Sequence, residues 1–306
     1  MVLAVTYLDF CYEPSLHWVL LASSIDEFEE SPEMALSTLK LLRFPGAPAH
    51  RTLDGMRVRS IAAHAGTIWI VGKYGEVWTY PPGQKIPIKD QLPDAGVRTA
   101  RHLGAPKRIR AIAGAPYVCG QAGQIYTFSG NQWVHMDAGI VEPEGNVDSL
   151  LLEGLHGTGP DDIYVTGSGG LLARFDGRTW TRINLGTKTF IGAVRAFSRT
   201  HVAAIGNSGT FAEWTGGQWA VSRIPGHEDT AFADLEMYNG ELYAAYEDGL
   251  LVRRGSQWTR VDTGLADAPE FLRLTVGDGR LWAMGFKRVH SFDGARWEAH
   301  IDPDNG

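Results

Sequence analysis

Cysteine is scarce: the 306-residue chain holds two, Cys11 and Cys119. That is too few for a disulfide framework, and neither has a CxxC or Cys/His zinc spacing. Both read as buried thiols, because free cysteine behaves as a small core residue. Long apolar runs are missing too, since no stretch approaches the ~18 consecutive apolar residues of a membrane helix. The opening MVLAVTYLDFCYEPSLHW has no basic segment before its apolar part and no small-residue cleavage site after it. This predicts a cytoplasmic protein without a membrane anchor. Concentrated positive charge is also absent. With 28 Lys and Arg against 35 Asp and Glu, the net charge is −7 and the pI near 5.8, which speaks against nucleic acid and anionic membranes as partners. It favours a protein partner with a basic surface.

What the chain has in excess is glycine, 37 residues, and tryptophan, 10. One repeating unit accounts for both. The stretch Ile163 to Trp180, IYVTGSGGLLARFDGRTW, reads as a β-prone run, a glycine turn, a second strand, an Asp-Gly turn, and a third strand carrying the tryptophan. Related copies end at Trp133, Trp219, Trp258 and Trp297. The closing tryptophans are 47 (133 to 180), 39 (180 to 219), 39 (219 to 258) and 39 (258 to 297) residues apart. About four strands fit each period, which is the signature of propeller blades. A closed array of this length makes one domain with an ample core.

In chain order this predicts an all-β, seven-bladed propeller of four-stranded antiparallel blades. Their approximate bounds are 1–50, 51–100, 101–140, 141–187, 188–226, 227–264 and 265–306. Blade 1 is the least regular: residues 32–42 fit a short helix or a strand, and the strand reading is preferred. In blade 2, Pro81, Pro82 and Pro87 stand where a closing tryptophan is expected, as suits an outermost strand whose free edge needs no donor. The five tryptophans read as wedges between blades. The strand order predicts a ring closed by packing alone, without a blade shared between the two ends of the chain.

The repeat resembles the BNR/YVTN-type bacterial β-propeller repeats. Phe175-Asp176-Gly177 with Trp180 and Phe292-Asp293-Gly294 with Trp297 carry the resemblance, which spans most of the chain from about residue 56. It implies the fold and leaves function open, since propellers host enzymes, chaperones and scaffolds alike. The sialidase Asp-box, Ser/Thr-x-Asp-x-Gly-x-x-Trp, is not matched, because Asp176 and Asp293 directly precede glycine.

Candidate chemistry is sparse. Glu153-Gly-Leu-His156 has metal-motif spacing, but on a strand positions three apart face opposite ways. The glycine-rich 156–160 segment precedes a strand and so lacks the helix N-terminus of a phosphate loop. It reads as an inter-strand turn. No histidine pairs with a nucleophile motif. One constellation remains: aligning the inner strands places Arg59, Arg110, Glu153, Arg195 and Glu236 at one level around the axial channel. These read either as inter-blade ion pairs or as a polar docking site. The loops Lys73-Tyr74, Glu247-Asp248, Phe286-Lys287, the acidic 141–144 and Gly226 to Asp229 are the other candidates, with Tyr74 and Asp229 as contact residues.

The expectation is a monomeric, non-enzymatic, cofactor-free binding protein, either a bacterial toxin-neutralising (immunity) protein or an assembly factor. The alternative is a hydrolase or lyase with a site in the axial channel.

Overall fold

A computed structural model describes residues 5–25, 36–43, 49–93, 103–140, 150–265 and 270–300. They form 28 strands, numbered β1 to β28 in chain order, in seven four-stranded sheets whose strands follow one another in sequence. Every pairing is antiparallel. The chain is a seven-bladed β-propeller, as its repeat predicts. The inner strands are β1 (Val5–Glu13), β5 (Val58–His64), β9 (Pro106–Ile112), β13 (Leu152–Gly159), β17 (Ile191–Ser198), β21 (Phe232–Tyr238) and β25 (Arg273–Gly277). In blade 1 the ambiguous segment, from residue 36 on, is strand β3 (Leu36–Arg43), in register with β2 (Trp18–Ile25), and residues 32–35 lie outside the described residues. Residues 141–144 lie outside the described residues. Contrary to the inter-strand turn expected of 156–160, Gly157 and Gly159 both lie in β13 itself, and the turn comes after them at Pro160 and Asp161. No helix among the described residues is long and apolar enough to cross a membrane.

The core is a set of apolar clusters between adjacent blades, each filled from two sheet faces. Trp180 packs on Ile112 and Tyr117 of blade 3, Trp133 on Val71 and Val77 of blade 2, and Trp297 on Tyr243 and Val252 of blade 6. Each wedge therefore points to the preceding blade. Trp133, Trp180 and Trp297 are buried, while Trp219 and Trp258 are half-buried.

In blades 2 to 5 the second strand ends in glycine, and that glycine serves close approach more than turning. A Cβ at Gly167 would overlap the Leu151 carbonyl oxygen, and one at Gly206 that of Phe190. The chain crosses there: Ser168 N donates to Leu151 O (2.9 Å) and Asn207 N to Phe190 O (2.8 Å). These bonds tie the blade's second turn to the segment entering its inner strand.

Ring closure uses no shared blade. Blade 7 meets blade 1 through Tyr7 N donating to Phe286 O (2.8 Å), Lys287 Nζ to Val5 O (3.1 Å), and a cluster joining Val5, Tyr7 and Leu21 to Trp282, Met284 and Val289.

Candidate functional site: the axial charge network

Six of the seven inner strands carry a one-residue bulge at the same register, falling on Leu8, Arg59, Lys107, Glu153, Gly192 and Ala233. A bulge offsets the two-residue alternation and re-aims the side chains beyond it. The residues after it, Asp9, Ser60, Arg108 and Asp234, are buried toward the axis. Two positions further on lie Arg110, His156, Arg195 and Glu236. The five sequence-aligned charges thus occupy two levels. Arg59 and Glu153 are bulge residues, and Arg110, Arg195 and Glu236 stand three positions beyond that point. Alternation alone cannot see this offset, because each bulge shifts the parity of its strand.

The inner strands have one edge facing the axis, and their amides there need partners. Side chains from the preceding blade provide them. Asp9 Oδ2 accepts from Ile61 N (3.3 Å), Ser60 Oγ from Ile109 N (3.0 Å), His156 Nδ1 from Ala196 N (3.1 Å) and Asp234 Oδ2 from Leu274 N (3.0 Å). Ser60 Oγ donates in turn to Asp9 Oδ2. Arginines cover the carbonyls of the same edge: Arg110 donates to Ile109 O (2.8 Å), and Arg195 to Leu274 O (3.3 Å).

The charges then pair across blades. Arg108 bridges Asp9 (3.2 Å) and Glu153 (2.8 Å), Arg110 reaches Asp9 (2.9 Å), and Arg273 reaches Glu153 (3.2 Å). On the opposite side Arg195 holds Asp234 (2.9 Å) and Glu236 (3.2 Å). The four carboxylates, Asp9, Glu153, Asp234 and Glu236, are therefore all arginine-bound. Burial works against the ionised form of Asp9, but Arg110 and Arg108 outweigh it and hold that carboxyl well below the ordinary range. Glu236 goes the other way: desolvation raises it, only partly offset by Arg195. Desolvation, reinforced by repulsion from Arg108, brings Arg273 down to about 10. His156 is pushed down to about 3 by burial and by Arg195 and Arg110, so it serves as a neutral acceptor.

Of the residues singled out from sequence, Arg110, Glu153, Arg195 and Glu236 thus join one network, and Arg59 lies half-buried at its bulge. Tyr74 and Asp229 are elsewhere. Tyr74 sits in the blade 2 turn, where its carbonyl accepts from Gln91 Nε2 (2.8 Å), and Asp229 is exposed between blades 5 and 6. Glu153 and His156 engage different partners and form no joint site. Asp9, Ser60, Arg108, Asp234 and Arg273 escape the sequence reading. For Ser60 and Arg108 the signal is the strand-ending glycine: Gly72 and Gly120 are 48 residues apart (72 to 120), the true blade offset, whereas matching the two Arg-x-Arg pairs imposes 51 (59 to 110). Blades 1, 6 and 7 lack that glycine, so it does not reach Asp9, Asp234 or Arg273.

Fold and axis together define a propeller whose four axial carboxylates are each paired with arginine. No family model matches the chain, so the repeat family remains a resemblance. Against curated proteins, the chain is 27% identical over 210 residues to immune protein Tsi7 of Pseudomonas aeruginosa, covering 68% of each. Among solved structures it is similar to YCF48 bound to D1 peptide (TM-score 0.68, 18% identity, 99% of this chain and 94% of that one). It is also similar to YCF48 from Cyanidioschyzon merolae (0.68, 13%, 94% and 95%) and to the WD40 β-propeller domain of Doa1 (0.68, 11%, 92% and 90%). At those identities the structural likeness speaks for the fold alone.

Proposed function

We propose that this chain is a non-enzymatic immunity protein that neutralises a toxin by stoichiometric binding. The observation that carries the reading is the relationship to an immune protein over two thirds of both chains. The axis supports it. General acid–base work needs a carboxyl or imidazole free to exchange protons near neutral pH, and here the axial carboxylates are bound by arginine while His156 spends its lone pair on a backbone amide. Because the axial residues are engaged in ion pairs, this reading puts the contact on the outer surface and loops first and the channel mouth second, and the net charge of −7 favours a basic partner.

The test is co-expression of this chain with each product encoded beside its own gene, in a host that those products can poison. One neighbour should arrest growth, this chain should restore it, and the two should purify as a single stoichiometric complex. Absence of any toxic neighbour, or rescue without a complex, sinks the reading. Axial charge reversals make poor binding probes, because Arg110→Glu would set a carboxylate against Asp9 and unfold the ring before reporting on contact.

A further inference from the structure

Blade 2 breaks the tryptophan pattern, and its outer hairpin borders a groove. In blades 3, 4 and 7 the closing tryptophan pairs with a phenylalanine: Phe128 with Trp133, Phe175 with Trp180, Phe292 with Trp297. In blade 2 the pairing of β7 (Glu76–Tyr80) with β8 (Ile88–Gln91) runs Thr79 to Ile88, so Pro87 falls opposite Tyr80, where the wedge would stand. The side of this hairpin that faces blade 1 opens into a groove of ≈ 490 Å³, lined chiefly by Asp54, Glu76, Trp78, Lys89, Asp90 and Gln91.

Asp54 and Glu76 line that groove, Asp90 borders it from the Ile88 side of β8, and among its described residues Lys89 is the sole cation. Glu76 accepts from Tyr74 N (3.0 Å) and Asp90 from Gln91 N (2.8 Å), bonds to neutral amides that leave their charge in place. The Lys89 ammonium lies 4.2 Å from the centre of the Trp78 ring, which shows that the floor of the groove takes a cation on its aromatic face. Next to it, β8 is the outermost strand of its sheet and all four of its residues are exposed. Ile86 and Ile88 are 79% and 58% exposed. Strand alternation puts Lys89 over the groove and Ile88 on the opposite face.

We infer that an extended segment of the partner protein, with alternating basic and apolar residues, adds to β8 as a fifth strand of blade 2. One set of its side chains places arginine over Trp78 beside Asp54 and Glu76, displacing Lys89. The other set covers Ile88. Arginine suits the floor better than lysine, because its planar guanidinium stacks on the ring and can bind a carboxylate through two donors. Main-chain pairing supplies affinity and the alternate side chains supply selectivity. This surface rests on the partner-binding reading above, but its test needs no partner.

The probe is a fluorescein-labelled peptide, Gly-Val-Arg-Val-Arg-Val-Gly, titrated with the intact protein and followed by anisotropy, beside the same peptide with glutamate for arginine. The arginine peptide is expected to bind saturably and the glutamate peptide not to bind. Reversing two exposed charges, Asp54→Lys with Asp90→Lys, should weaken binding roughly tenfold, while Glu247→Lys with Asp248→Lys on blade 6 makes the same charge change and should not. Circular dichroism confirms that both variants are folded. Equal binding of the two peptides, equal loss in the two variants, or no saturable binding of the arginine peptide overturns the inference. Groove-specific peptide binding without a toxic neighbour would sink the immunity reading and leave this one standing.

Discussion

Arg195 shows what the axial residues do for the molecule. Its guanidinium takes Asp234, Glu236 and the Leu274 carbonyl at once, so one side chain from blade 5 ties blades 6 and 7. Asp9 does the same between blades 1, 2 and 3. Removing one partner from such a cluster leaves buried charge uncompensated, typically at about 3–5 kcal/mol. Asp9→Asn should therefore lower urea stability by about that much, and a loss under about 1 kcal/mol would show the pairs to be dispensable.

Two acid dependences have a definite sign. The Asp9 carboxyl is held below its ordinary value by Arg110 and Arg108, so its contribution is present above about pH 4 and disappears as pH falls below. His156 is held to about 3 from an ordinary 6.5. The folded state favours its neutral form, and the stability this confers is present above pH 6.5 and lost progressively as pH drops toward 3. His156→Asn keeps an acceptor for Ala196 N but does not titrate. It should flatten part of the fall in thermal stability between pH 6.5 and 4.5, the remainder coming from His290 and His300, which burial brings down to about 4 and which carry the same sign over that window. An unchanged slope would mean that His156 is not the group responsible.

Among the elements, strands and wedges were plain in the chain itself. Alternation, turn glycines and the 39-residue tryptophan period located the blades, because each blade solves the same packing problem with the same residue types. Trp180 buries its ring against Ile112 and Tyr117 and donates Nε1 to Met136 O (2.6 Å). Trp180→Ala should cost about 3–5 kcal/mol by cavity formation, whereas Trp219→Ala, half-exposed, should cost clearly less. Calorimetry of the pair checks the contrast. The axial register was not legible. A bulge adds one residue without any distinctive side chain, so the charges aligned by pattern fell on two levels and the buried partners Asp9, Arg108, Asp234 and Arg273 went unseen.

For the whole molecule the weak place is the seam between blades 7 and 1. Every other pair of adjacent blades is joined by the chain, while this one is held without a covalent link, by packing and by hydrogen bonds such as Tyr7 N to Phe286 O. Hydrogen exchange should therefore open β1 and blade 7 ahead of β13 and β17, since local opening starts where the fewest constraints act. Protection at the seam equal to that of the central blades would contradict this.

The sequence by itself determined the architecture: seven four-stranded blades and the placing of wedges, all of which follow from local periodicity repeated along the chain. Only the tertiary structure decided how the axial charges pair, that the carboxylates there are spoken for, and that a groove lies beside the outer hairpin of blade 2. The reason is that these depend on contacts between blades some 40 to 100 residues apart, such as Arg110 with Asp9 at a separation of 101. No local pattern encodes which residues of different inner strands arrive at the same height.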